Sequence, residues 1–314
     1  MVDWLTAAVL LFFSLLVLFK AGEKSIQNAI ALARLVGMSE FVVGFLLVSV
    51  STSLPELAIA ISSALDGSSA ISLGNVFGAN LSDVLLVVGA SAVFGGLVLN
   101  KNDFKDLVLI LLGSSLISLV LVLYTPGRLT GVLLLLSFLA YVYYLLTKKK
   151  QGLLVAVKTP FDFRKFFLTL FSFAFFILLV LASSKIAVDN AVLLSGFFGV
   201  SELVLGATLI SLGTTLPELS VSVLAARQGR FRLALGNAVG SSIVNLSLVF
   251  GTTLALNPVA GEGLTSLLRL IVFSVIANIF LLYLILIRKK IDKKAGFALI
   301  FSYVAFLLLF IAGS

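Results

Sequence analysis

Three carboxylates stand where the surrounding chain is apolar: Glu56 in STSLPEL (51–57), Glu218 in GTTLPEL (213–219) and Asp83 in GNVFGANLSD (74–83). An ionisable group in such a stretch marks a functional site by default. No Lys or Arg lies in the middle of either LPE-bearing stretch to neutralise it. Two facing carboxylates repel, and a divalent cation, two monovalent cations or protons would relieve that repulsion. Thr52 and Ser53 set hydroxyls beside Glu56, and Thr214 and Thr215 do the same beside Glu218. Pro55 and Pro217 add freed backbone carbonyls, because proline has no N–H and its ring clashes with the carbonyl four residues back. These are hard oxygen ligands, the set that Na⁺ or Ca²⁺ prefers. A plain proline kink with Ser/Thr bonding back to the preceding turn is the structural alternative, and duplication of the Glu argues against it. The chain has no histidine and no cysteine. That excludes Ser-His catalysis, His-ligated zinc and thiolate metal sites. Asp83 has no second intramembrane aspartate for an acid dyad. The expected chemistry is ion coordination, with no enzyme activity and no cofactor.

The elements that hold these residues are apolar helices. Of 314 residues, 61% are hydrophobic and 11% charged, with mean hydropathy +1.22; soluble domains carry about a quarter charged residues. The fold class is an all-α membrane protein. Ten apolar runs reach spanning length, near 3–20, 39–64, 71–98, 104–124, 128–147, 166–184, 201–226, 232–256, 264–287 and 295–312. A membrane β-barrel would show alternating segments of about ten residues instead. The N-terminal run lacks a basic n-region and a small-residue cleavage site, so it reads as a retained first span. The stretch 148–165 is a basic linker between a first half, 1–147, and a second, 166–314, within one transporter domain.

The halves repeat each other. An offset of 162 residues holds without a gap from Gly37/Gly199 to Gly89/Gly251, and 21 of those 53 pairs are identical. Apolar composition alone would not align Pro-Glu, Gly-Asn and the bounding glycines in one register. Five spans per half is an odd number, so the second half crosses in the opposite sense. With the N-terminus outside and 148–165 cytoplasmic, 19 of the 22 basic residues fall on inward loops, which is the positive-inside pattern. The net charge of +8 is therefore a topology signal, with no nucleic-acid or protein partner implied. The expected architecture is ten transmembrane helices as two inverted five-helix repeats, broken at the two LPE motifs, a plan used by secondary transporters with a midplane ion site.

The spans after the breaks carry GNVFGANLSD and GNAVGSSIVN (236–245). Gly74, Gly78, Gly236 and Gly240 allow close backbone approach. Asn75 and Asn237 either satisfy loose backbone groups or ligate, and Asn245 is the counterpart of Asp83. Glu40 and Glu202 begin their spans near the interface and read as N-terminal caps favoured by the helix macrodipole, with vestibule charges as the alternative.

Two copies of [G/S]-T-[S/T]-L-P-E-L, each followed by G-N-x-x-G, resemble the α-repeats of the cation/Ca²⁺ exchanger superfamily, above all its prokaryotic sodium/calcium exchanger branch. The resemblance covers about 37–89 and 199–251 specifically, and implies an antiporter driven by an ion gradient in a cell membrane, most readily a prokaryotic plasma membrane. It implies that Glu56 and Glu218 share a central Ca²⁺, with Thr52 and Thr214 lending ligands. It implies Na⁺ sites using Ser53, Thr215 and Ser241, with backbone carbonyls near Ser49 and Ser211. The spans opening each half, 3–20 and 166–184, would be its sliding gate. Three departures stand out: Asp83 and Asn245 exchange the family's usual Asn and Asp, Ala79 replaces a serine kept as Ser241, and Ser51 stands where Gly213 and the family have glycine. A Ca²⁺/H⁺ exchanger of the same superfamily is the main rival, with protons as counter-ion. A passive cation channel is a rival of another class, disfavoured by the inverted repeat.

Overall fold

A computed structural model of the chain describes residues 3–35, 48–95, 97–98, 108, 111–118, 127–148, 162–258, 264–288 and 290–312. Glu40, the glycine pair partner Gly37, most of the expected 104–124 span and the linker over 149–161 lie outside these residues.

In chain order, α1 (Trp4–Leu35) is followed by the broken pair α2 (Val48–Thr52) and α3 (Leu54–Leu65), then α4 (Ser69–Leu81). A π-helical segment, Ser82–Val87, leads into α5 (Val88–Gly95) and the short strand β1 (Leu97–Val98); α6 is Arg128–Lys148. The second half opens with α7 (Phe163–Phe198) and α8 (Glu202–Leu205), then a π-helical segment, Gly206–Ile210. Next come α9 (Ser211–Thr214), α10 (Leu216–Arg227), α11 (Phe231–Val244) and a third π-helical segment, Asn245–Val249. It closes with α12 (Phe250–Leu256), α13 (Leu264–Arg288), β2 (Lys290–Ile291) and α14 (Lys293–Ala312). The two strands pair antiparallel, Leu97 with Ile291 and Val98 with Lys290, a tie between distant loops that the hydropathy pattern does not foretell.

Among the described residues six helices are long and apolar enough to cross a membrane, and Glu202–Arg227 counts as a seventh span bent by 43° at its break. The chain is an all-helical, multi-pass membrane protein. The expected span 128–147 appears as α6 with a shorter apolar stretch, Arg128–Tyr143; 39–64 is described only from residue 48.

Both opening helices overrun the expected limits of residues 20 and 184. Nothing in KAGEKSIQNAIALARL stops a helix, and Lys20–Glu23 adds an i,i+3 pair. Asp162 caps α7 by accepting from the Lys165 amide, and Gly199, at φ 64°, ends it in the left-handed region. At 1.5 Å per residue α7 is about 54 Å long, against roughly 30 Å of hydrocarbon, so it tilts or projects. α1 and α7 pack along each other on the outside of the bundle. Only 11% of α7's apolar window is buried, against 89% for the span Ser69–Gly95. Both pass as apolar spans, with mean hydropathy 2.5 and 1.7 respectively, and packing puts the less apolar one inside.

The centre is built by α4 and α11 crossing the opposite broken helices. A Cβ on Gly74 would collide with the Leu203 carbonyl, and one on Gly206 with the Ile71 carbonyl. A Cβ on Gly78 would lie 2.5 Å from the Ala207 oxygen. Each repeat therefore presses its glycines onto the other's backbone, and this contact sets the distance between the two LPE motifs.

Candidate cation site

Each LPE proline starts a helix rather than kinking one. Pro55 and Pro217 occupy the first turns of α3 and α10, where a missing N–H costs nothing because those donors are unused anyway. The hinge residues take matching backbone angles: φ −82°, ψ 8° at Ser53 and φ −79°, ψ −4° at Thr215. That bridge region is sparsely allowed and frequent at active sites. Glu56 and Glu218 then fall in the first turn of a 12-residue helix, facing the positive end of its macrodipole.

The two repeats interlock through a reciprocal pair of hydrogen bonds. Thr52 Oγ1 donates to Asn237 Oδ1 at 3.2 Å, and Thr214 Oγ1 donates to Asn75 Oδ1 at 3.0 Å. These pairs exchange under the 162-residue offset, as an approximate two-fold relation requires. Thr52 also meets Ser241 Oγ at 3.3 Å. Asn237 Nδ2 reaches the Glu218 carbonyl at 3.3 Å and Ser222 Oγ at 3.0 Å. Asn75 Nδ2 has no partner, and the cause is legible: Ala60 stands where the second repeat has Ser222. Both Asn residues therefore do structural work, bracing one repeat against the other.

Thr52, Ser53, Glu56, Asp83, Thr214, Thr215, Glu218, Ser241 and Asn245 are all buried. Both carboxyl oxygens of Glu56, Asp83 and Glu218 lack hydrogen-bond partners, as do Ser53 Oγ and both amide atoms of Asn245. Buried polar atoms are almost always paired, and each exception calls for a cause. The three carboxylates among these exceptions are neighbours, for Asp83 and Glu218 both feel the charge of Glu56. Among the described residues, however, no three acidic side chains converge closely enough to grip an ion by themselves. The neutral oxygens around them would have to complete any coordination shell.

Other expected donors are already engaged. The Ser211 carbonyl accepts from Thr215 Oγ1 at 2.6 Å, Thr214 Oγ1 at 3.2 Å and the Thr215 amide at 3.0 Å. Ser49 lies in α2. At the start of α8 the N-cap is Ser201, whose hydroxyl accepts from the Val204 amide, and Glu202 follows in the first turn.

Sequence reasoning named Asp83 and Asn245 but not their local conformation, and it missed three participants outright. Asp83 and Asn245 each sit in the first turn of a π-helical segment; the wider turn re-aims side chains and recurs at functional sites. Tyr303, from the last helix, is buried and accepts from Ser82 Oγ at 2.9 Å, next to Asp83. Gly22 of α1 passes over both motifs at once, since a Cβ there would lie 3.3 Å from Pro55 Cγ and 3.8 Å from Pro217 Cγ. Ala60 is the third. Only the repeat offset, applied to Ser222, could have flagged one of these.

Comparison with known proteins places this geometry. The family described as Sodium/calcium exchanger protein matches residues 6–147 and 168–312. The chain is 30% identical over 268 residues to the putative antiporter CaxA of Alkalimonas amylolytica, covering 81% of this chain and 82% of that protein. It is 28% identical to the sodium/calcium exchanger MaX1 of Methanosarcina acetivorans, covering 96% and 97%. A solved structure of the sodium-calcium exchanger NCX_Mj, soaked with Na⁺ and Sr²⁺, superposes with a TM-score of 0.69 at 24% identity, over 98% of this chain and 99% of that one. With interlocked LPE repeats, orphaned buried carboxyls and a family match over both halves, the chain belongs to the sodium/calcium exchanger protein family.

Proposed function

We propose that this protein is an antiporter that exchanges Ca²⁺ against Na⁺ across a cell membrane, by alternating access at one site shared by its two halves. The observation that carries this reading is the cluster of buried, unpartnered carboxyl oxygens on Glu56, Glu218 and Asp83, framed by the reciprocal Thr–Asn bonds. Glu56 and Glu218 hold Ca²⁺ with the hydroxyls of Thr52 and Thr214; Ser53, Thr215 and Ser241 serve Na⁺, with Asp83 and Asn245 reaching the same centre. The same frame extends to ten spans as two inverted halves, with the N-terminus outside and 148–165 in the cytoplasm. The name MaX1 carries, sodium/calcium exchanger, supports the ion pair chosen.

The decisive experiment is ⁴⁵Ca²⁺ flux into proteoliposomes. Uptake is expected to require an outward Na⁺ gradient and to vanish in Glu56→Gln and in Glu218→Gln. Uptake driven equally by a proton gradient without Na⁺ would sink the sodium reading. Uptake with no counter-ion gradient and channel-like conductance would sink exchange altogether. A second reading, Ca²⁺/H⁺ exchange, draws on one observation: Ala79 puts a methyl where the second repeat offers Ser241 Oγ, one hydroxyl fewer for Na⁺.

A further inference from the structure

Away from the acidic site, the outer faces of α5 and α10 leave a groove of about 430 Å³ between them. Ala90 and Phe94 line one wall, Leu219, Val223 and Leu224 the other, and Arg227 stands at one end. Phe94, Leu224 and Arg227 are exposed, so the groove opens outward, to what for a membrane protein is the bilayer. Gly95 lets the two helices meet there, for a Cβ on it would sit 2.5 Å from the Ala226 carbonyl carbon.

The Arg227 guanidinium lies over the Phe94 ring, 4.8 Å from its centroid. That contact holds the cation without an acceptor atom for its five N–H donors, which remain for another group. Among the described residues no carboxylate forms an ion pair with it. The repeat offset adds a contrast. Leu65 stands in place of Arg227 and Leu256 in place of Phe94, so the cation and its aromatic support belong to one half only.

We propose that the α5–α10 groove binds an anionic phospholipid, with an acyl chain along Phe94, Val223 and Leu224 and the headgroup phosphate on Arg227. The division of the groove into an apolar trough and one cationic end matches the division of a phospholipid. A free anion would have no use for the trough, and a zwitterionic lipid brings its own ammonium, which offsets the attraction of its phosphate to the guanidinium. Basic pockets between membrane helices bind acidic headgroups in this manner, and a guanidinium takes a phosphate bidentately.

The test replaces Trp4, the single tryptophan, by Phe and adds Leu224→Trp as a reporter in the groove. The full-length protein is reconstituted in phosphatidylcholine vesicles containing a small fraction of brominated phosphatidylglycerol or, separately, brominated phosphatidylcholine. The acidic lipid is expected to quench about five-fold more effectively, the gain of one basic residue at an acidic headgroup. Arg227→Gln should bring the two lipids level, while Arg227→Lys keeps part of the preference. Equal quenching in the Arg227 protein would overturn the proposal. So would a preference for phosphatidylglycerol that survives Arg227→Gln. Arg227 is exposed, so neither variant disturbs the packed core, and the readout is independent of which ion drives transport.

Discussion

The amide of Asn237 ties together Thr52 of the other repeat, the Glu218 carbonyl and Ser222. Asn75 repeats only the first of these contacts; Ala60 lacks the hydroxyl that Ser222 supplies, and the Glu56 carbonyl is not engaged by the Asn75 amide. The first repeat has thus lost two hydroxyls, at Ala60 and Ala79, and gained one acid, Asp83. Near-symmetric Thr–Asn bonds predict near-symmetric effects. Thr52→Val and Thr214→Val each leave a buried Asn oxygen unpaired, at about 1–3 kcal/mol. Each should raise the KM for Ca²⁺ about tenfold in the flux assay; a loss confined to one of them would contradict a shared site. Restoring the missing hydroxyl gives a second prediction. Ala79→Ser should lower the Na⁺ concentration for half-maximal exchange, and an unchanged Na⁺ dependence would show that this position lies outside the sodium path.

At the scale of elements, the contacts of α1 and α7 matter most, because both helices lie outside the bundle, and α1 touches both motifs while α7 packs on α3 behind the first. α1 crosses Pro55 and Pro217 at Gly22, and Leu15 packs against Gly213. α7 is fastened to α3 by the Ser62–Ser184 hydrogen bond at 2.9 Å and by Lys185, which meets Asp66 at 2.7 Å and Asp189 at 2.6 Å. The offset turns the Lys185–Asp66 pair into Glu23 and Gln228, which cannot form an ion pair. The fastening is therefore one-sided. If α1 and α7 slide as the gate, Gly22→Leu should lower the maximal exchange rate more than tenfold, since overpacking costs about 1–3 kcal/mol, with the KM for Ca²⁺ little changed. Normal turnover in that variant would place the moving surface elsewhere. The chain has no cysteine, so Asp66→Cys with Lys185→Cys gives a clean cross-link. A short bismaleimide bridging the pair should stop exchange, and full activity in the bridged protein would rule out relative motion of α7 and α3.

For the whole molecule, burial and topology separate cleanly. The spans carrying GN motifs fill the centre and α7 faces outward, with 72% of the Leu233–Leu256 window buried against 11% for Phe163–Phe198. The proposed orientation, with the N-terminus outside, rests on charge alone. Asp3→Cys should react with a membrane-impermeant maleimide in intact cells, and Arg230→Cys only after permeabilisation. The reverse pattern would invert the topology.

Much of this protein was legible before any coordinate. Composition demanded a helical membrane protein, the 162-residue offset paired the halves, and unpaired acids amid apolar runs pointed to Glu56, Glu218 and Asp83. These signals survive in one dimension because burial in lipid penalises every charge that lacks a purpose. Hydropathy runs lower in the inner spans than in the outer ones, but by itself it did not say what each packs against. It also could not see that α1 and α7 continue as helices beyond their apolar part, that Asp83 and Asn245 sit in π-helical turns, or that Tyr303 arrives beside Asp83. Which hydroxyls are already spent, as at the Ser211 carbonyl, and which carboxyl oxygens stay unpaired depend on distances between residues up to 221 positions apart. Only the packing of glycine against backbone, repeat against repeat, decides those distances.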